Sequence, residues 1–420
     1  MVSIALYMFL AYKLISVLAN TFKIKTTSVD RSQEIVPMNL LNSFSFDLPT
    51  RIQYGVGVVH KLTEALRDIN ATNVLIVTDK GVEASGLLSG VTSRLGQDRL
   101  KFEIFSDVES NPKDYNVHEG TQLAKQLQAD CLVAIGGGSP IDCAKAIAVL
   151  TTHGGSLREF ENEDKISGDT LPLIAIPTTA GTGSEVTFSS VITDTHQKFK
   201  FSIHHTKIAP RIALLDPEMT VTMPPALTAA TGMDALTHAI EGFTAKGSEP
   251  LADAAALYAI ELISTYLKTA VFDGRNLESR AGMLLGSVLA GISFSHSDVA
   301  AVHCIAEALG GKYDTAHGVC NAVVLPVVME YNMEYCRDKY ARIAAAMGII
   351  CDTAQEGARQ AVEGVKKLAL EVKLPDFGSL GVKAEDVDEL AYNSSINGSN
   401  GSNPRPMSKD DYLTLINSMM

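Results

Sequence analysis

The chain has 420 residues, of which 46% are hydrophobic and 20% are charged, and these ordinary proportions exclude a disordered or collagen-like chain. This length exceeds what one core comfortably holds and predicts two domains of about 200 residues each. The formal net charge of -13, with no cluster of lysines and arginines to offset it, repels a phosphate backbone, so we expect no nucleic-acid partner.

The first residues differ in character from the rest of the chain. Residues 2–19 (VSIALYMFLAYKLISVLA) are apolar except for Lys13, and a polar stretch follows them. No basic region precedes the apolar run, and a lysine inside it is costly in a membrane. We therefore interpret residues 1–37 as a dispensable extension and expect no membrane association. The folded part of the chain is predicted to begin at Met38.

The cysteines indicate a reducing compartment. All 6 lie far apart, with no CxxC pair, and most fall within apolar runs. Reduced, buried thiols of a cytoplasmic protein are therefore favoured over a disulfide framework. The cysteines are Cys131, Cys143, Cys304, Cys320, Cys336 and Cys351.

From about residue 44 to residue 217, short apolar runs alternate with helical stretches. Each run is bounded by Gly, Pro, Asp or Asn. Continuous apolar strands between helices predict a parallel sheet that is covered on both faces. Residues 38–217 are therefore predicted to form an α/β domain. The predicted strands are NVLIVTD, KFEIFSD, CLVAIGG, LPLIAIP and RIALLDP.

After Pro217 the pattern changes to helical periodicity. Ala, Leu, Met and Ile recur at helical spacing, as in ALTAATGMDALTHAIEGF and SRAGMLLGSVLAGISF, and no convincing strand is seen. Residues 218–420 are therefore predicted to form an all-α domain. Near its end, SSINGSNGSNPRPMSKDD predicts a turn-rich surface segment before a last short helix.

A glycine-rich turn follows the strand CLVAI. Residues 136–140 read Gly-Gly-Gly-Ser-Pro before a helix. Glycines allow a ligand to approach the backbone closely, Ser139 is placed to cap the helix, and Pro140 suits its first turn. The free amides of a helix N-terminus bind phosphate. The GxGxxG spacing is absent because Ile141 stands at the third glycine position, so a plain tight turn is the alternative.

A second loop of small and hydroxyl residues, residues 178–185 (TTAGTGSE), follows the strand LPLIAIP. Two such loops on adjacent parallel strands predict a dinucleotide site. Asp79 ends the strand NVLIVTD, where a carboxylate accepts ribose hydroxyls and repels a 2'-phosphate. This favours NAD over NADP, although a strand-end aspartate also serves as a helix cap.

The helical half contains four candidate metal ligands. Asp234 and His238 are four residues apart, which on a helix places both side chains on one face. His303 lies in a later helix, and His317 begins another. One carboxylate and three imidazoles suit Fe(II) or Zn(II), and such an ion acts as a Lewis acid on an alcohol oxygen. Taken singly, each histidine is more often a structural residue or a helix cap, and Asp234 alone would be a charge on a helix surface.

From about residue 44 to its end, the sequence resembles the iron-containing (group III) alcohol dehydrogenases, and it is most similar to the lactaldehyde reductase and propanediol or butanol dehydrogenase branch. Long motifs carry the resemblance, in the order of the family: IGGGSPIDCAK, IPTTAGTGSEVT, TAATGMDALTHAIEG, AGISFSHS and VHCIAEALGGKYDTAHGVCNAVVLP. The resemblance implies a Rossmann-like, dehydroquinate synthase-like sheet domain followed by an all-α domain, and a homo-oligomer.

The resemblance also implies the roles of individual residues. The family's metal ligands fall on Asp234, His238, His303 and His317, and they hold Fe(2+), with Zn(2+) as the alternative. NAD lies along the carboxyl edge of the sheet, and the substrate enters the cleft between the domains. Contacts to NAD fall on Asp79, Asn111, Gly137, Gly138, Ser139, Thr179, Thr182 and Lys200.

Two positions depart from the family. Many relatives carry a second histidine four residues after the third ligand, and this chain has Glu307 there. Helical spacing places Glu307 on the face of His303, so we predict a catalytic role, by approach to the ion, a hydrogen bond to a substrate hydroxyl, or proton relay. An exposed helix carboxylate is the alternative. Relatives usually have a proline directly before the last metal ligand, and this chain has Ala316 there, before His317.

These observations predict a cytoplasmic, NAD-dependent oxidoreductase that transfers hydride between NAD(H) and a primary or short-chain alcohol or aldehyde. One alternative is a glycerol dehydrogenase-like or dehydroquinate synthase-like zinc enzyme that acts on a polyol or sugar-like substrate. Those relatives do not share the Asp-xxx-His pair of GMDALTHAIE. A second alternative is a non-catalytic NAD-binding protein.

Overall fold

The computed structural model describes residues 42–161 and 163–420. Residues Phe44–Met420 form one compact unit. The predicted extension of residues 1–37 lies outside the described residues. The predicted boundary near residue 217 stays a prediction, although the chain changes from sheet to helices there.

Six parallel strands form the main sheet, in the order β1-β8-β5-β4-β2-β3. All five predicted strands are present, and the predicted fold class is confirmed. Two features were not predicted, namely the edge strand β1 and the antiparallel pair β6 and β7. The strands are β1 (Arg51–Tyr54), β2 (Asn73–Val77), β3 (Lys101–Phe105), β4 (Cys131–Gly136), β5 (Leu173–Pro177), β6 (Ser189–Asp194), β7 (Phe199–His204) and β8 (Ile212–Leu215).

Helices accompany the sheet, and further helices, the longest among them, follow it. The first five are α1 (Leu62–Asp68), α2 (Lys80–Ala84), α3 (Leu87–Gln97), α4 (Asp114–Leu127) and α5 (Gly138–His153). After β8, the described residues contain helices and no strand. These helices are α6 (Pro225–Thr244), α7 (Pro250–Phe272), α8 (Leu277–Ser297), α9 (Ala301–Tyr313), α10 (His317–Ala346), α11 (Ala354–Glu371), α12 (Val387–Ser395) and α13 (Lys409–Met419).

The central strands of the sheet are covered on both faces, as predicted. Successive side chains of a strand point to opposite faces. In β2, Leu75 and Val77 pack with the buried residues of α4 and α5, whereas Val74 and Ile76 pack with those of α1 and α3. Because both faces are apolar, these strands read as unbroken apolar runs in the sequence.

The long helices enclose a separate core. Met233, Leu236 and Phe243 of α6 are fully buried there. Among the described residues, α7 alone is long and apolar enough to cross a membrane by itself, with a mean hydropathy of 1.2. Helices α8 and α9 pass the same test together, but they are bent by 102°. Ile260 and Ile263 of α7 pack into the helical core, and core helices share this composition, so it is weak grounds for a membrane span.

Two details correct the sequence analysis. Helix α5 begins at Gly138, and its N-cap is Gly137, which makes no side-chain capping hydrogen bond. Ser139 therefore lies inside the first turn and does not cap the helix, so that prediction was wrong. Five cysteines are buried as predicted, but Cys351 is partly exposed.

Helix α8 touches the loop that follows β5 through two glycines. Gly183 has a φ of +61°, and a Cβ atom on it would lie 2.6 Å from the Cα of Gly291. A Cβ atom on Gly291 would lie 2.9 Å from the Cα of Gly183. Since real Cβ atoms do not approach backbone atoms so closely, both positions require glycine. The contact with α8 therefore helps to hold this loop in its position at the edge of the sheet.

We expect Gly291→Ala to lower the free energy of unfolding by about 1–3 kcal/mol, because its methyl group overpacks against the Gly183 backbone. Gly90→Ala in α3 is the control, since a Cβ atom there meets nothing within 4 Å, and it should raise stability by up to about 1 kcal/mol through helix propensity. Urea denaturation measures both. A Gly291→Ala protein as stable as the wild type would contradict the close contact.

Candidate metal centre and cofactor edge

The structure brings the four predicted metal ligands together. Asp234 and His238 lie one turn apart on α6, His303 lies in the first turn of α9, and His317 is the first residue of α10. One donor atom from each residue lies within 4.8 Å of the others. The first three residues are buried and His317 is partly buried. Four donors from three helices therefore face a common point.

The distances within the cluster suit donors that share an ion. Nδ1 of His238 lies 3.9 Å from Oδ2 of Asp234, and Nε2 of His317 lies 3.9 Å from Oδ1 of Asp234. The rings of His238 and His303 have centroids 4.6 Å apart. Donors that each lie about 2 Å from one metal ion are separated by up to about 4 Å. Phe294 stacks on His238 with centroids 4.5 Å apart.

The protonation of the cluster suits a cation. Burial lowers the pKa of His238 to about 4 and holds the pKa of His317 well below its ordinary value. Burial alone would raise the pKa of Asp234, but the three neighbouring histidines lower it. At neutral pH this gives a carboxylate and neutral imidazoles at His238 and His317, the forms that bind metals.

Glu241 contacts one of the ligands directly, and it was not predicted. Its Oε2 accepts a hydrogen bond of 2.5 Å from Nδ1 of His303. Burial lowers the pKa of His303, but the hydrogen bond to Glu241 and the negative charges of Glu241, Asp234 and Glu307 together outweigh it, so the net shift of this pKa is upward. Since Nδ1 is engaged by Glu241, the other nitrogen, Nε2, is the one that faces the cluster.

Asn321, one turn after His317 on α10, also contacts the cluster and was not predicted. Its Nδ2 lies 2.7 Å from Oδ1 of Asp234, 3.0 Å from Nε2 of His303 and 3.1 Å from Nε2 of His317. Acceptor atoms of three of the metal ligands therefore converge on Nδ2 of Asn321. Among the described residues, Oδ1 of Asn321 and Nδ1 of His238 are buried atoms with no hydrogen-bond partner. Lone pairs of this kind call for a partner, and the residues fit a bound cation.

The two predicted cofactor loops meet at the carboxyl ends of β4 and β5. A Cβ atom on Gly137 would lie 3.0 Å from Oγ1 of Thr179, and one on Gly138 would lie 2.6 Å from Cγ2 of Thr182. The glycines thus let the threonine loop close onto the N-terminus of α5, where Ser139 occupies the first turn. Together they form a groove of amides and hydroxyls beside a helix N-terminus, which suits a diphosphate.

Asp79 lies two residues after the end of β2 and is the N-cap residue of α2, as the alternative interpretation expected. Its side chain accepts a hydrogen bond of 2.8 Å from the amide of Val82 and caps the helix. The cap uses Oδ1, so Oδ2 is the oxygen left for a ribose hydroxyl. Asp79 follows the carboxyl end of β2, the strand next to β4, and so lies at the same edge of the sheet as the loops.

Asn111 and Lys200 lie together and connect the sheet to the metal cluster. The buried Lys200 donates to Oδ1 of Asn111 over 2.8 Å, and Nδ2 of Asn111 donates to Oδ1 of Asp314 over 2.9 Å. Burial lowers the pKa of Lys200. Asp314 stands three residues before His317, so this chain of hydrogen bonds holds the loop that precedes the last ligand.

Glu307 is partly buried rather than exposed. Its Oε2 accepts a hydrogen bond of 2.6 Å from Nδ2 of Asn397. It lines a small cleft with Lys200, Asn393 and Asn397. The electrostatic influence of Glu307 reaches both His303 and Lys200, whose pKa values it raises. Asn397 belongs to the segment predicted as a turn-rich surface, and its role was not foreseen.

Buried polar groups tie α5 to the threonine loop. Lys145, fully buried on α5, donates to Oγ of Ser184 over 2.9 Å, to Oγ1 of Thr187 over 2.9 Å and to the carbonyl oxygen of Ser189 over 2.7 Å. Burial lowers the pKa of Lys145 to about 8 and raises the pKa of Glu185, nearby, to about 7. This network fixes the end of the loop that carries Thr179 and Thr182.

Comparison with known proteins agrees with this arrangement. Residues 49–217 match the iron-containing alcohol dehydrogenase family model, and residues 228–420 match the model of the family's C-terminal part. The chain is 39% identical over 373 residues to choline dehydrogenase of Bacillus subtilis (strain 168), covering 88% of this chain and 93% of that protein. It belongs to the iron-containing alcohol dehydrogenases.

Further relatives agree with that assignment. NAD-dependent methanol dehydrogenase of Bacillus methanolicus is 37% identical over 375 residues, covering 89% of this chain and 98% of that protein. The crystal structure of a 1,3-propanediol oxidoreductase has a TM-score of 0.87 at 36% identity, covering 90% of this chain and all of that chain. The predicted family and class of enzyme, an NAD-dependent oxidoreductase that uses iron, are confirmed. The zinc enzyme on polyols and the non-catalytic NAD-binding protein are not favoured.

Glu241 and Asn321, which were not predicted, have only a weak signal in the sequence, namely their spacing from the metal ligands. Glu241 lies three residues after His238, on the same face of α6, and Asn321 lies four residues after His317, on the same face of α10. Spacing alone could have placed both near the ligands. What each contacts depends on how α6, α9 and α10 pack, which the spacing does not reveal.

We expect Glu185→Gln to change how stability depends on pH. Glu185 is buried with a pKa near 7, against an ordinary value of 4.5, so between these values the native protein holds a proton that the unfolded chain releases. Stability contributed by this group therefore falls as pH rises from 4.5 to 7, by about 3 kcal/mol. Urea denaturation across this range should show the decline in the wild type relative to Glu185→Gln. Glu64→Gln, on an exposed site of α1, is the control and should follow the wild type; parallel curves for all three proteins would refute the prediction.

Proposed function

We propose that the protein transfers hydride between NAD(H) and a primary or short-chain alcohol or aldehyde, at a divalent iron ion held by Asp234, His238, His303 and His317. Zinc suits the same donors. The observation that carries the proposal is the contact between the two halves of the site. The Gly181 backbone, between Thr179 and Thr182, hydrogen-bonds His238, so the cofactor loop and the ligand cluster are direct neighbours.

The protein's own groups prepare both reactants. The groove of Gly137, Gly138, Thr179 and Thr182 binds the diphosphate and ribose of NAD with amides and hydroxyls and adds no charge. When bound, the ion supplies Lewis-acid polarisation of the substrate oxygen. Because loop and cluster are in contact, the substrate carbon and the nicotinamide ring are held side by side in a cleft, and this positioning supplies much of the rate acceleration.

Three further assignments belong to the proposal. Asp79, with Oδ2 left over from its capping role, favours NAD over NADP by repelling a 2'-phosphate. Asn111 and Lys200 contact the cofactor and Ser139 its phosphates, as the family resemblance implies. We place the sheet domain at residues 38–217 and the helical domain at residues 218–420.

We also propose a cytoplasmic homo-oligomer that works without membrane or nucleic acid. The net charge of -13 supports the absence of a nucleic-acid partner. The five buried, unpaired thiols among the described residues support a reducing compartment.

Glu307 is proposed as a catalytic residue. Its carboxylate is fixed by Asn397 through one oxygen, which leaves Oε1 to accept a hydrogen bond from a substrate hydroxyl or to relay its proton. Its position in a cleft with Lys200, on the helix of His303, supports this role.

The function is tested by reduction of aldehydes. Protein loaded with Fe(II) without oxygen should oxidise NADH in the presence of at least one of a panel of short aldehydes, betaine aldehyde, formaldehyde and 3-hydroxypropanal included, and NADPH should be used less well. His238→Ala should lose at least about a thousandfold in kcat/KM, since one metal ligand is removed. His118→Ala, at an exposed position of α4, should leave the rate unchanged. Absence of turnover on the whole panel, or equal rates for the two variants, would overturn the proposal.

Glu307→Gln is expected to lower kcat by about a hundredfold, the usual scale of general acid–base contributions, because an amide keeps the hydrogen bond to Asn397 but carries no proton-accepting charge. Iron content, measured by elemental analysis, should equal that of the wild type. Asn393→Ala alters the wall of the same cleft and serves as a control with a small effect. An unchanged kcat for Glu307→Gln would show that Glu307 takes no part in catalysis.

A further inference from the structure

We propose that Glu241 is a positioning residue that fixes the His303 imidazole for metal binding and, with the same carboxylate, anchors the N-terminus of the helix that carries His303. The inference rests on the proposed function only in that the cluster holds a metal ion.

Glu241 makes three contacts with one short stretch of chain. Oε2 accepts hydrogen bonds from Nδ1 of His303 over 2.5 Å and from the amide of Ala300 over 3.0 Å, and Oε1 accepts from the amide of Val302 over 2.7 Å. The residue is buried, with 3% of its surface exposed. All three of these hydrogen bonds join the Glu241 carboxylate to the first turn of α9 or to the residue directly before it.

The helix itself lacks the group that Glu241 provides. The N-cap residue of α9 is Ala300, which makes no side-chain capping hydrogen bond. The first amides of a helix have no partner within the helix, and burial makes unpaired amides costly. A carboxylate from α6 fills this role, so the ligand-bearing helix is anchored to the helix that carries Asp234 and His238.

The contact with Nδ1 determines which nitrogen faces the ion. A carboxylate can only accept at Nδ1, so this nitrogen keeps its proton and the lone pair lies on Nε2. Nε2 points at the cluster, 3.0 Å from Nδ2 of Asn321. A glutamine at position 241 would turn an N–H group toward Nδ1 or toward the Ala300 amide. The first arrangement moves the ring proton to Nε2, where it blocks the ion.

Helix capping alone would explain the same contacts without any effect on the metal, and Glu249 separates the two explanations. Glu249 is also buried, with 7% of its surface exposed. It caps α7 by accepting from the amides of Leu251 over 2.9 Å and Ala252 over 2.6 Å. Among its hydrogen bonds in the described structure, none involves a histidine. Glu249→Gln is therefore a matched control that perturbs a carboxylate cap and leaves the cluster intact.

The test compares Glu241→Gln and Glu249→Gln in the full chain. Metal affinity is measured by competition between the protein and a chromophoric chelator for Zn(II), and ligand geometry by the visible absorption spectrum of the Co(II)-loaded protein. We expect Glu241→Gln to bind Zn(II) 10–100-fold more weakly than the wild type, the usual effect of losing such a partner, with an altered Co(II) spectrum. Glu249→Gln should match the wild type in both, although we expect urea denaturation to show that both variants are destabilised.

The outcomes are distinguishable. Wild-type affinity and spectrum in Glu241→Gln, or equal losses in the two variants, would overturn the positioning role. Failure of the wild type to bind any metal would instead refute the proposed function. If Glu241→Gln does not fold, Glu241→Asp replaces it: its carboxylate is one methylene shorter and falls short of His303, so weaker Zn(II) binding is again expected, and unchanged binding would again overturn the proposal.

Discussion

The site depends on one constraint, that four donors from three helices, on three buried residues and the partly buried His317, keep their lone pairs aimed at one point. Desolvation of a carboxylate and three imidazoles is costly, and the pKa shifts record the cost: burial lowers the pKa of His238 and His317, whereas Asp234 stays ionised because the histidines surround it. Such a cluster is stable only when surrounding groups offset the cost of desolvating its carboxylate and imidazoles. Glu241 and Asn321 provide part of that compensation, and the fit of the donors to a cation explains the rest.

The sheet and the helices meet at this cluster. A Cβ atom on Gly181 would lie only 2.8 Å from the Cβ of Thr231 on α6. The Gly181 backbone also forms a hydrogen bond with His238. Two residues later Gly183 meets Gly291 of α8. The small residues of TTAGTGSE therefore serve two surfaces at once, because they leave room for a dinucleotide on one side and allow helix backbone to approach on the other. Lys145 of α5 holds the end of the loop in place by donating hydrogen bonds to Ser184 and Thr187.

Much of this arrangement could be predicted, for physical reasons. The doubly covered strands appear as apolar runs, and the ligand pair on α6 appears as an i, i+4 spacing. The antiparallel pair β6 and β7 was missed, although the alternation of apolar and polar residues in β7 (FKFSIH) is the pattern of a half-buried strand. The edge strand β1 was missed because it has four residues, two of them polar. The N-cap of α5 was misplaced by two residues, since Gly137 adopts an extended conformation that Ser139 was expected to take.

The segment SSINGSNGSNPRPMSKDD shows where composition misleads. Polar residues and glycines predict a solvated turn, yet Asn403 is fully buried against Asn332, and Ser399 and Ser402 bond Asp298. Asn397 turns inward to Glu307, a residue 90 positions earlier. A partly buried carboxylate needs a donor, and Asn397 supplies one to Glu307. Glu307 is therefore supported by a residue that sequence spacing could not connect to it.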